Sequence, residues 1–297
     1  MSTKPFPIPV VPFGPGSQAE DEALDYITLP SGMSTFQAPV LPEPEELVQR
    51  EGALRVLHEA LAALSAAVNG QTPPPVVLDG LAPEDLALVN QVLGEGEVSA
   101  QVLPAGQGSP AGAWQQVQIQ ESVFAGLWRV VGLRADGQVH DTLEVGPCPQ
   151  VLRQVATEDA RGPRPDPGGV PAGVMNALPL LVELQDQRQR WQPGKSGQVA
   201  HVVNLTLLPL SPDDVGLIDH VLGTGRVLIL SRGYGNCRIT STCAAHTWRV
   251  VYYNSADAVI LNAIEVSDLP DVACAAPEDL RDSFERLTEV LEWVGQG

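Results

Sequence analysis

The chain has 297 residues, 44% of them hydrophobic, and its 36 acidic and 17 basic residues give a formal net charge of −19. Such an acidic surface argues against nucleic acid and anionic membranes as partners, because both require a basic surface. The length allows two domains with separate cores, and the hydrophobic content excludes a wholly disordered chain. No apolar run approaches the roughly 18 residues of a membrane span, and the N-terminus lacks a secretory signal. We therefore expect a cytoplasmic protein.

Residues 1–44 form a proline-rich tail with nine prolines. Proline at this density blocks helices and sheet ladders and favours an extended chain. Apolar side chains nevertheless recur along the tail: Phe6, Phe13, Tyr26, Ile27, Met33 and Phe36. The tail is therefore expected either to wrap around the body of its own protein or to meet a partner.

Helical spacing of leucine and valine predicts a first helix that starts near Glu45 and closes at Asn69 and Gly70. Runs of β-branched and aromatic residues follow, together with a helix opened by Pro83 and a hairpin turn at Arg134–Gly137. The predicted strands here are Val76–Leu78, Val98–Leu103, Trp114–Gln120, Val123–Leu133 and Val139–Val145, and a short helix follows from Pro149.

The strongest pattern in the chain is an internal repeat. Residues 210–227 match residues 81–98 with nine of 18 positions identical, and the run Trp-Arg-Val-Val occurs at both Trp128 and Trp248. A repeat at a fixed offset indicates one structural unit that occurs twice. We predict an α+β fold with internal duplication, in which each copy is a mixed, mainly antiparallel sheet with packed helices. Residues 72–150 and 201–271 should superpose.

Proline and glycine mark the boundary between the two copies. Residues 161–171 contain four prolines and three glycines, which leaves no room for a helix or strand. The predicted division is a tail (1–44), a first repeat (45–160), a linker (161–171) and a second repeat (172–297). In the second repeat we predict helices at Ala177–Trp191, Pro212–Leu222 and Pro277–Val294, and strands at Val202–Leu208, Arg226–Leu230, Cys237–Cys243, Trp248–Tyr253 and Val259–Val266.

One run between two predicted strands occurs only in the second copy. It consists of Arg232, Gly233, Tyr234, Gly235, Asn236, Cys237 and Arg238. The glycines suit a turn, since they supply positive φ without strain. Two arginines and an amide around a thiol could lower the pKa of that thiol and bind an anion. Arginine and tyrosine also dominate the hot spots of protein interfaces. A structural turn, a partner-binding loop and a thiol site are all compatible with this run.

The four cysteines are Cys148, Cys237, Cys243 and Cys274, and they form no Cys-x-x-Cys pair. We therefore predict free thiols rather than a structural zinc site. Cys237 and Cys243 share one predicted strand, but about 20 Å of chain separates them, too far to chelate one metal. His246 could assist a thiol only if an Asp or Asn oriented it, and the sequence names no such residue. We predict no metal, no cofactor and no catalytic residue.

These motifs together resemble a known family. The run Arg232–Ile239, the strand that starts at Trp248 and the run Ile260–Glu265 are similar to those of the hydrogenase expression/formation proteins called HupH, HyaF or HoxQ. The resemblance implies an accessory factor that matures uptake [NiFe] hydrogenases. It further implies action on the iron–sulfur small subunit, together with a thioredoxin-like companion of the HupG or HyaE type. It implies no established catalytic residue.

Two functional hypotheses follow, with a generic dimeric scaffold as a third. The first is a non-enzymatic assembly chaperone that holds an immature subunit through the Arg232–Arg238 loop, while the tail covers an apolar groove until the client displaces it. In that case Arg232→Ala with Tyr234→Ala should weaken client binding by about 2 kcal/mol or more. The second is a thiol-dependent enzyme or iron–sulfur cluster carrier that uses Cys237. A Cys237→Ser protein that still supports maturation would contradict the second hypothesis.

Overall fold

A computed structural model describes residues 50–104, 114–160, 162, 169–195, 197–233 and 235–295 of this chain. The predicted tail and most of the predicted linker lie outside these residues. The helices are α1 (Glu51–Val68), α2 (Pro83–Leu93), α3 (Gln150–Glu158), α4 (Ala177–Arg190), α5 (Pro212–Leu222) and α6 (Pro277–Gly295), with short 3-10 turns at Leu205–Leu207 and Asp271–Ala273.

The strands of the first repeat are β1 (Val76–Val77), β2 (Val98–Val102), β3 (Trp114–Glu121), β4 (Leu127–Arg134) and β5 (Val139–Val145). Those of the second repeat are β6 (His201–Asn204), β7 (Val227–Ser231), β8 (Asn236–Ser241), β9 (Thr247–Tyr253) and β10 (Val259–Val266). Helices and strands therefore recur in the same order in both halves of the described chain.

All these strands belong to one sheet with the order β1-β5-β4-β3-β2-β7-β8-β9-β10-β6. Every neighbouring pair is antiparallel. The order is symmetric about the β2–β7 pair, in which Ala100 lies opposite Ile229 and Val98 lies opposite Ser231. The α+β class and the antiparallel sheet are confirmed. The two predicted sheets, however, join edge to edge across a pseudo-two-fold axis, and this pairing protects the edges of two strands that would otherwise be open.

The two tryptophans of the repeated motif occupy equivalent places. Trp128 lies in β4 and Trp248 in β9, and each is 1% exposed. The indole N–H of Trp128 donates to the carbonyl oxygen of Gly146 at 2.9 Å, and that of Trp248 donates to Ser267 at 3.2 Å. A buried indole N–H needs such a partner. Sequence identity between the repeats therefore reflects one shared packing arrangement.

The two faces of the sheet are covered differently. On one face, the middle strands bury alternate residues such as Val102, Ile119 and Ile229 beneath α3 and the turn Asp271–Ala273. Within the described part of the chain, the opposite face is covered only towards its ends. There α1, α2 and α6 pack on the first repeat, and α4 and α5 pack on the second. The middle of this second face stays half-exposed.

Two predicted strands extend four residues too far at one end. The strand predicted at Val123–Leu133 starts only at Leu127, because the hydroxyl of Ser122 closes a turn with the backbone of Phe124. The strand predicted at Val202–Leu208 ends at Asn204, whose side chain accepts the Thr206 N–H and starts a 3-10 turn. In both cases a short polar side chain competes with the sheet ladder for backbone groups.

The strand predicted at Cys237–Cys243 runs from Asn236 to Ser241 instead. The Thr242 hydroxyl accepts the N–H of Ala244 at 3.1 Å and closes the turn that ends it. The prediction that Cys237 and Cys243 share one strand is therefore wrong, because the strand ends at Ser241. No helix among the described residues is long and apolar enough to cross a membrane.

Candidate partner-binding site

The candidate run forms the turn between β7 and β8. Arg232, Gly233, Gly235 and Asn236 are exposed, whereas Tyr234 lies outside the described residues. The N–H of Gly235 donates to the carbonyl oxygen of Arg232 at 3.4 Å, and its φ of 101° lies in the region that glycine tolerates best. The turn therefore presents a guanidinium and an amide side chain to solvent on a tightly bent backbone.

The first repeat supports this turn through Glu97, which precedes β2. The N–H of Arg232 donates to the carbonyl oxygen of Glu97 at 3.1 Å. The carboxylate of Glu97 also packs so closely on Gly233 that a Cβ atom there would collide with it. A larger residue at position 233 would therefore displace the Glu97 side chain. Glycine at this position permits the contact between the two repeats.

Arg238 lies one residue beyond Cys237 and consequently points to the opposite face of the sheet. Its guanidinium carbon lies 6.0 Å from the ring centre of Tyr253, within the range of a cation–π contact. Its buried Nε has no hydrogen-bond partner among the described residues. Cross-strand pairing aligns Arg238 with Leu230, Ser99 and Gln120 across the half-exposed face.

An open groove of about 550 Å³ lies on this half-exposed face of the first repeat. Its lining is mainly polar and includes Ser99, Gln101, Gln118, Gln120 and Arg129. The cross-strand row that contains Arg238 enters this groove at Ser99. The turn and the groove therefore belong to one continuous surface that spans the junction of the repeats.

Cys237 is buried, with 3% of its surface exposed, and it packs against the core on the covered face. Burial raises the pKa of its thiol to about 11, although a hydrogen bond with Tyr252, directly opposite on β9, acts in the other direction. The nearby carboxylate of Glu265 also disfavours the thiolate. The expectation that flanking arginines lower this pKa is wrong, because Arg238 points to the other face and Arg232 lies in the exposed turn.

The structure provides His246 with the acidic residue that the sequence did not reveal. Its Nδ1 lies 3.3 Å from a carboxylate oxygen of Asp268. That carboxylate also accepts the indole N–H of Trp191 at 2.8 Å and the backbone N–H of Gly194 at 2.6 Å, so it ties the loop after α4 to the end of β10. The thiol of Cys243 donates instead to the carbonyl oxygen of Thr224 at 3.4 Å. These contacts stabilise turns of the backbone and do not activate a cysteine as a nucleophile.

Sequence reasoning missed Glu97 as a support of the candidate turn. In the sequence alignment of the two repeats, Arg226 is the residue equivalent to Glu97. Arg226 likewise connects the two repeats, on the other side of the pseudo-two-fold axis. Its guanidinium pairs with Asp159 at 2.6 Å and donates to the carbonyl oxygens of Leu103 and Trp114. Both Glu97 and Arg226 are charged and stand directly before β2 and β7, the two strands that pair at the junction of the repeats. This shared position was the signal by which the sequence could have revealed them. Within the described ranges, no group of three or more His, Cys, Asp or Glu side chains could hold a metal ion.

Comparison with known proteins assigns the family. The profile described as "HupH hydrogenase expression protein, C-terminal conserved region" matches residues 51–163 and again residues 174–294. This chain belongs to the HupH family. The double match agrees with the duplicated sheet and confirms the resemblance inferred from the Arg232–Ile239 motif.

Family members from several bacteria resemble the whole chain. The hydrogenase expression/formation protein HoxQ of Cupriavidus necator is 56% identical over 98% of both chains. HupH of Rhodobacter capsulatus is 44% identical over 97% of this chain and 98% of its own. The hydrogenase-1 operon protein HyaF of Escherichia coli is 32% identical over 95% of both. These names describe accessory proteins rather than enzymes, as predicted for this chain, and they support a role in hydrogenase maturation.

Proposed function

We propose that this protein is an assembly chaperone in the maturation of a [NiFe] uptake hydrogenase and that its client is the iron–sulfur small subunit. The proposal rests on the family assignment together with one structural observation: the motif that distinguishes the second repeat forms an exposed turn. Surface residues held on a rigid frame are suited to recognising a partner. A thioredoxin-like companion, implied by the resemblance, is part of the same proposal.

The proposed client-binding surface consists of the β7–β8 turn and the adjoining polar groove. Arg232 and Asn236 offer charged and amide donors, and Arg238 extends the surface towards Gln120 in the groove. Arginine forms strong contacts with carboxylates and with aromatic faces. An immature subunit would therefore bind through acidic or aromatic side chains placed over the turn.

Burial of Cys237 argues against the alternative of a thiol enzyme or cluster carrier. Reaction with a protein substrate and cluster binding require an accessible thiolate. The thiol of Cys237 is instead covered by the core, its hydrogen-bond partner is Tyr252, and its pKa is raised to about 11. The side chain contributes to packing beneath the turn, while the exposed residues around it are the proposed contacts of the client.

Titration of the full chain against the purified, immature small subunit tests this proposal. Arg232→Ala combined with Asn236→Ala removes both described polar side chains of the turn without touching the core. We expect the dissociation constant to rise about 30-fold, corresponding to about 2 kcal/mol. Arg190→Ala is the matched control, because the Arg190 side chain is 71% exposed on α4 and lies in the same repeat.

Circular dichroism and thermal unfolding should show that both variants fold like the parent protein. An unchanged dissociation constant in the folded double variant would mean that the turn serves only to connect β7 and β8. Equal weakening by Arg190→Ala would indicate a general effect of charge rather than recognition by this turn.

A further inference from the structure

Two of the four cysteines meet where the repeats join, although they lie far apart in sequence. Cys148 follows β5 in the first repeat, and Cys274 follows β10 in the second. The backbone N–H of Ala275 donates to the carbonyl oxygen of Pro147 at 2.8 Å, which places the two cysteines beside each other. Cys148 belongs to the core cluster on the covered face of the sheet, and Cys274 packs against the same cluster.

The two thiols lie close enough to shift each other's ionisation in opposite directions. The interaction with Cys274 lowers the pKa of Cys148, against the opposing effect of burial, whereas the interaction with Cys148 and burial both raise the pKa of Cys274. Cys148 also lies just ahead of α3, where the positive end of the helix and the nearby Arg153 favour a thiolate, whereas burial and the carboxylates of Glu144 and Asp268 oppose it. The sulfur of Cys274 lies 3.6 Å from the carbonyl oxygen of Pro270, a contact in which the thiol acts as donor. Cys148 is therefore the better nucleophile of the two.

We propose that Cys148 and Cys274 form a peroxide-sensitive dithiol site that closes to an intramolecular disulfide between the two repeats. The small size of a peroxide matters, because Cys148 is only 8% exposed and Cys274 is partly exposed. A protein disulfide could not approach the Cys148 sulfur as readily. The site is independent of the turn at Arg232 and of the proposed client.

The reaction proceeds in two balanced steps. The Cys148 thiolate attacks one oxygen of hydrogen peroxide and breaks the O–O bond. This step gives a sulfenic acid on Cys148 and a hydroxide that takes up a proton to become water. The Cys274 sulfur then attacks the Cys148 sulfur, breaks the S–O bond and releases the hydroxyl with the Cys274 proton as a second water. The two thiols are oxidised by two electrons, and the peroxide is reduced to two waters.

Closure of this disulfide would change the stability of the protein measurably. Cross-linking residues that are distant in sequence restricts the unfolded chain strongly, and long loops gain most in the chain-entropy model. We therefore expect the melting temperature of the oxidised protein to exceed that of the reduced protein by roughly 5 °C or more. The bond would also fix α3 of the first repeat to the turn Asp271–Ala273 of the second.

The experiment uses the full chain, reduced, desalted and then treated with increasing hydrogen peroxide before alkylation of free thiols. Mass spectrometry under non-reducing conditions should show the loss of two hydrogen masses and a linked peptide pair that contains Cys148 and Cys274. Dithiothreitol should reverse both changes. Cys243→Ser is the matched control: it removes another partly exposed thiol, keeps the pair, and should behave like the parent protein. Cys274→Ser should accumulate sulfenic acid on Cys148, which dimedone traps.

The proposal would be overturned if Cys148 and Cys274 both remain available for alkylation after denaturation of the treated protein while Cys243 has been oxidised. A linked peptide that contains Cys237 or Cys243 would contradict it equally. These outcomes are read on the parent chain, so they remain decisive even if Cys274→Ser fails to fold. No client is present in the experiment, and its failure would leave the proposed chaperone function unaffected.

Discussion

The two repeats have the same strand pairing but fill one equivalent position with different chemistry. In the first repeat Val117 lies opposite Gly132, and the ring of Trp114 covers the glycine, where a Cβ atom would collide with it. In the second repeat Cys237 lies opposite Tyr252, and the two polar side chains shift each other's pKa. The same sheet therefore supports an apolar contact in one copy and a polar pair in the other. Changes of side chain, rather than changes of fold, distinguish the two copies at this position.

The helices show a second difference. The N-terminus of α5 has a capping box, in which the Ser211 hydroxyl accepts the Asp214 N–H and the Asp214 carboxylate accepts the Ser211 N–H. Asp214 also accepts the N–H groups of Met175, Asn176 and Ala177 and so ties α4 to α5. The equivalent helix α2 begins after Ala82, which has no side chain able to cap it. The second repeat therefore depends on one carboxylate where the first depends on apolar packing against α1 and α6.

The largest expected effect is that of Asp214→Ala. Asp214 is fully buried, and its loss leaves four backbone N–H groups without their acceptor. We expect the free energy of unfolding to fall by about 4 kcal/mol. Asp85→Ala, at the equivalent and half-buried position of α2, should cost only about 1 kcal/mol. Urea unfolding of both variants measures the difference, and equal losses would show that the repeats do not differ in this way.

The same carboxylate should contribute to acid sensitivity. Burial alone would raise the pKa of Asp214, but its backbone N–H donors hold it well below the ordinary value of 3.8. A carboxyl group with a depressed folded-state pKa stabilises the fold above its ordinary pKa, and that contribution is lost as the pH falls through and below it. Unfolding measured between pH 5 and pH 3 should therefore be less dependent on pH for Asp214→Asn than for the parent protein. A parallel dependence in both proteins would contradict this assignment.

A somewhat smaller effect, of opposite sign, is expected from Glu121 in the first repeat. Burial raises its pKa to about 7 despite a hydrogen bond from the Gly126 N–H, whereas the second repeat has Ser241 at this position, opposite Trp248. A carboxyl group with a raised folded-state pKa favours folding below its ordinary pKa, and this contribution disappears as the pH rises through about 7. The parent protein should lose about 3 kcal/mol between pH 4.5 and pH 8 from this group.

Glu121→Gln provides the comparison for that measurement, because the amide keeps the shape of the side chain and cannot ionise. Its free energy of unfolding should vary less between pH 4.5 and pH 8 than that of the parent protein. Ser241→Ala is the matched control in the second repeat and should leave the pH dependence unchanged. If Glu121→Gln shows the full dependence of the parent protein, other groups are responsible.

The smallest effect on stability is expected when Cys237 of the second repeat is replaced by valine, the residue at the equivalent position of the first repeat. Cys237→Val reproduces Val117 at the equivalent position with an apolar side chain only slightly larger than the thiol, and it removes the polar interaction with Tyr252. Volume-conserving core substitutions usually cost less than about 1.5 kcal/mol, and we expect about 1 kcal/mol here. Thermal unfolding checks this value. A loss several times larger would mean that the thiol has a structural role beyond packing.

The sequence predicted the elements of this fold better than their assembly. Pro83 and Pro212 open helices that Gly94 and Gly223 close with positive φ, and these signals are local. No local feature of Val98–Val102 indicates that its other edge, away from β3, pairs with β7. The continuous sheet depends on pairing between residues that are distant along the chain, and neither periodicity nor turn chemistry encodes that choice.

The turn of the candidate site was predictable from its glycines, but the orientation of its side chains was not. The run Arg232–Arg238 was recognisable as a turn that could serve structure, partner binding or thiol chemistry. Whether Cys237 faced the core or solvent depended on the register of β8, because a shift of one residue exchanges the two faces of a strand. The junction of Cys148 with Cys274 was likewise invisible, since it depends on the arrangement of two repeats around a common axis.

Hydrogenase activity in cells tests the central claim, that the second repeat acts through its exposed turn and not through the Cys237 thiol. A strain that lacks this gene would be complemented with the parent gene, with Cys237→Val, or with the combined Arg232→Ala and Asn236→Ala variant. Accumulation of each protein would be checked in the same cells. We predict that Cys237→Val restores uptake-hydrogenase activity and that the turn variant does not. Activity restored by the turn variant but lost in a stable Cys237→Val protein would contradict the account.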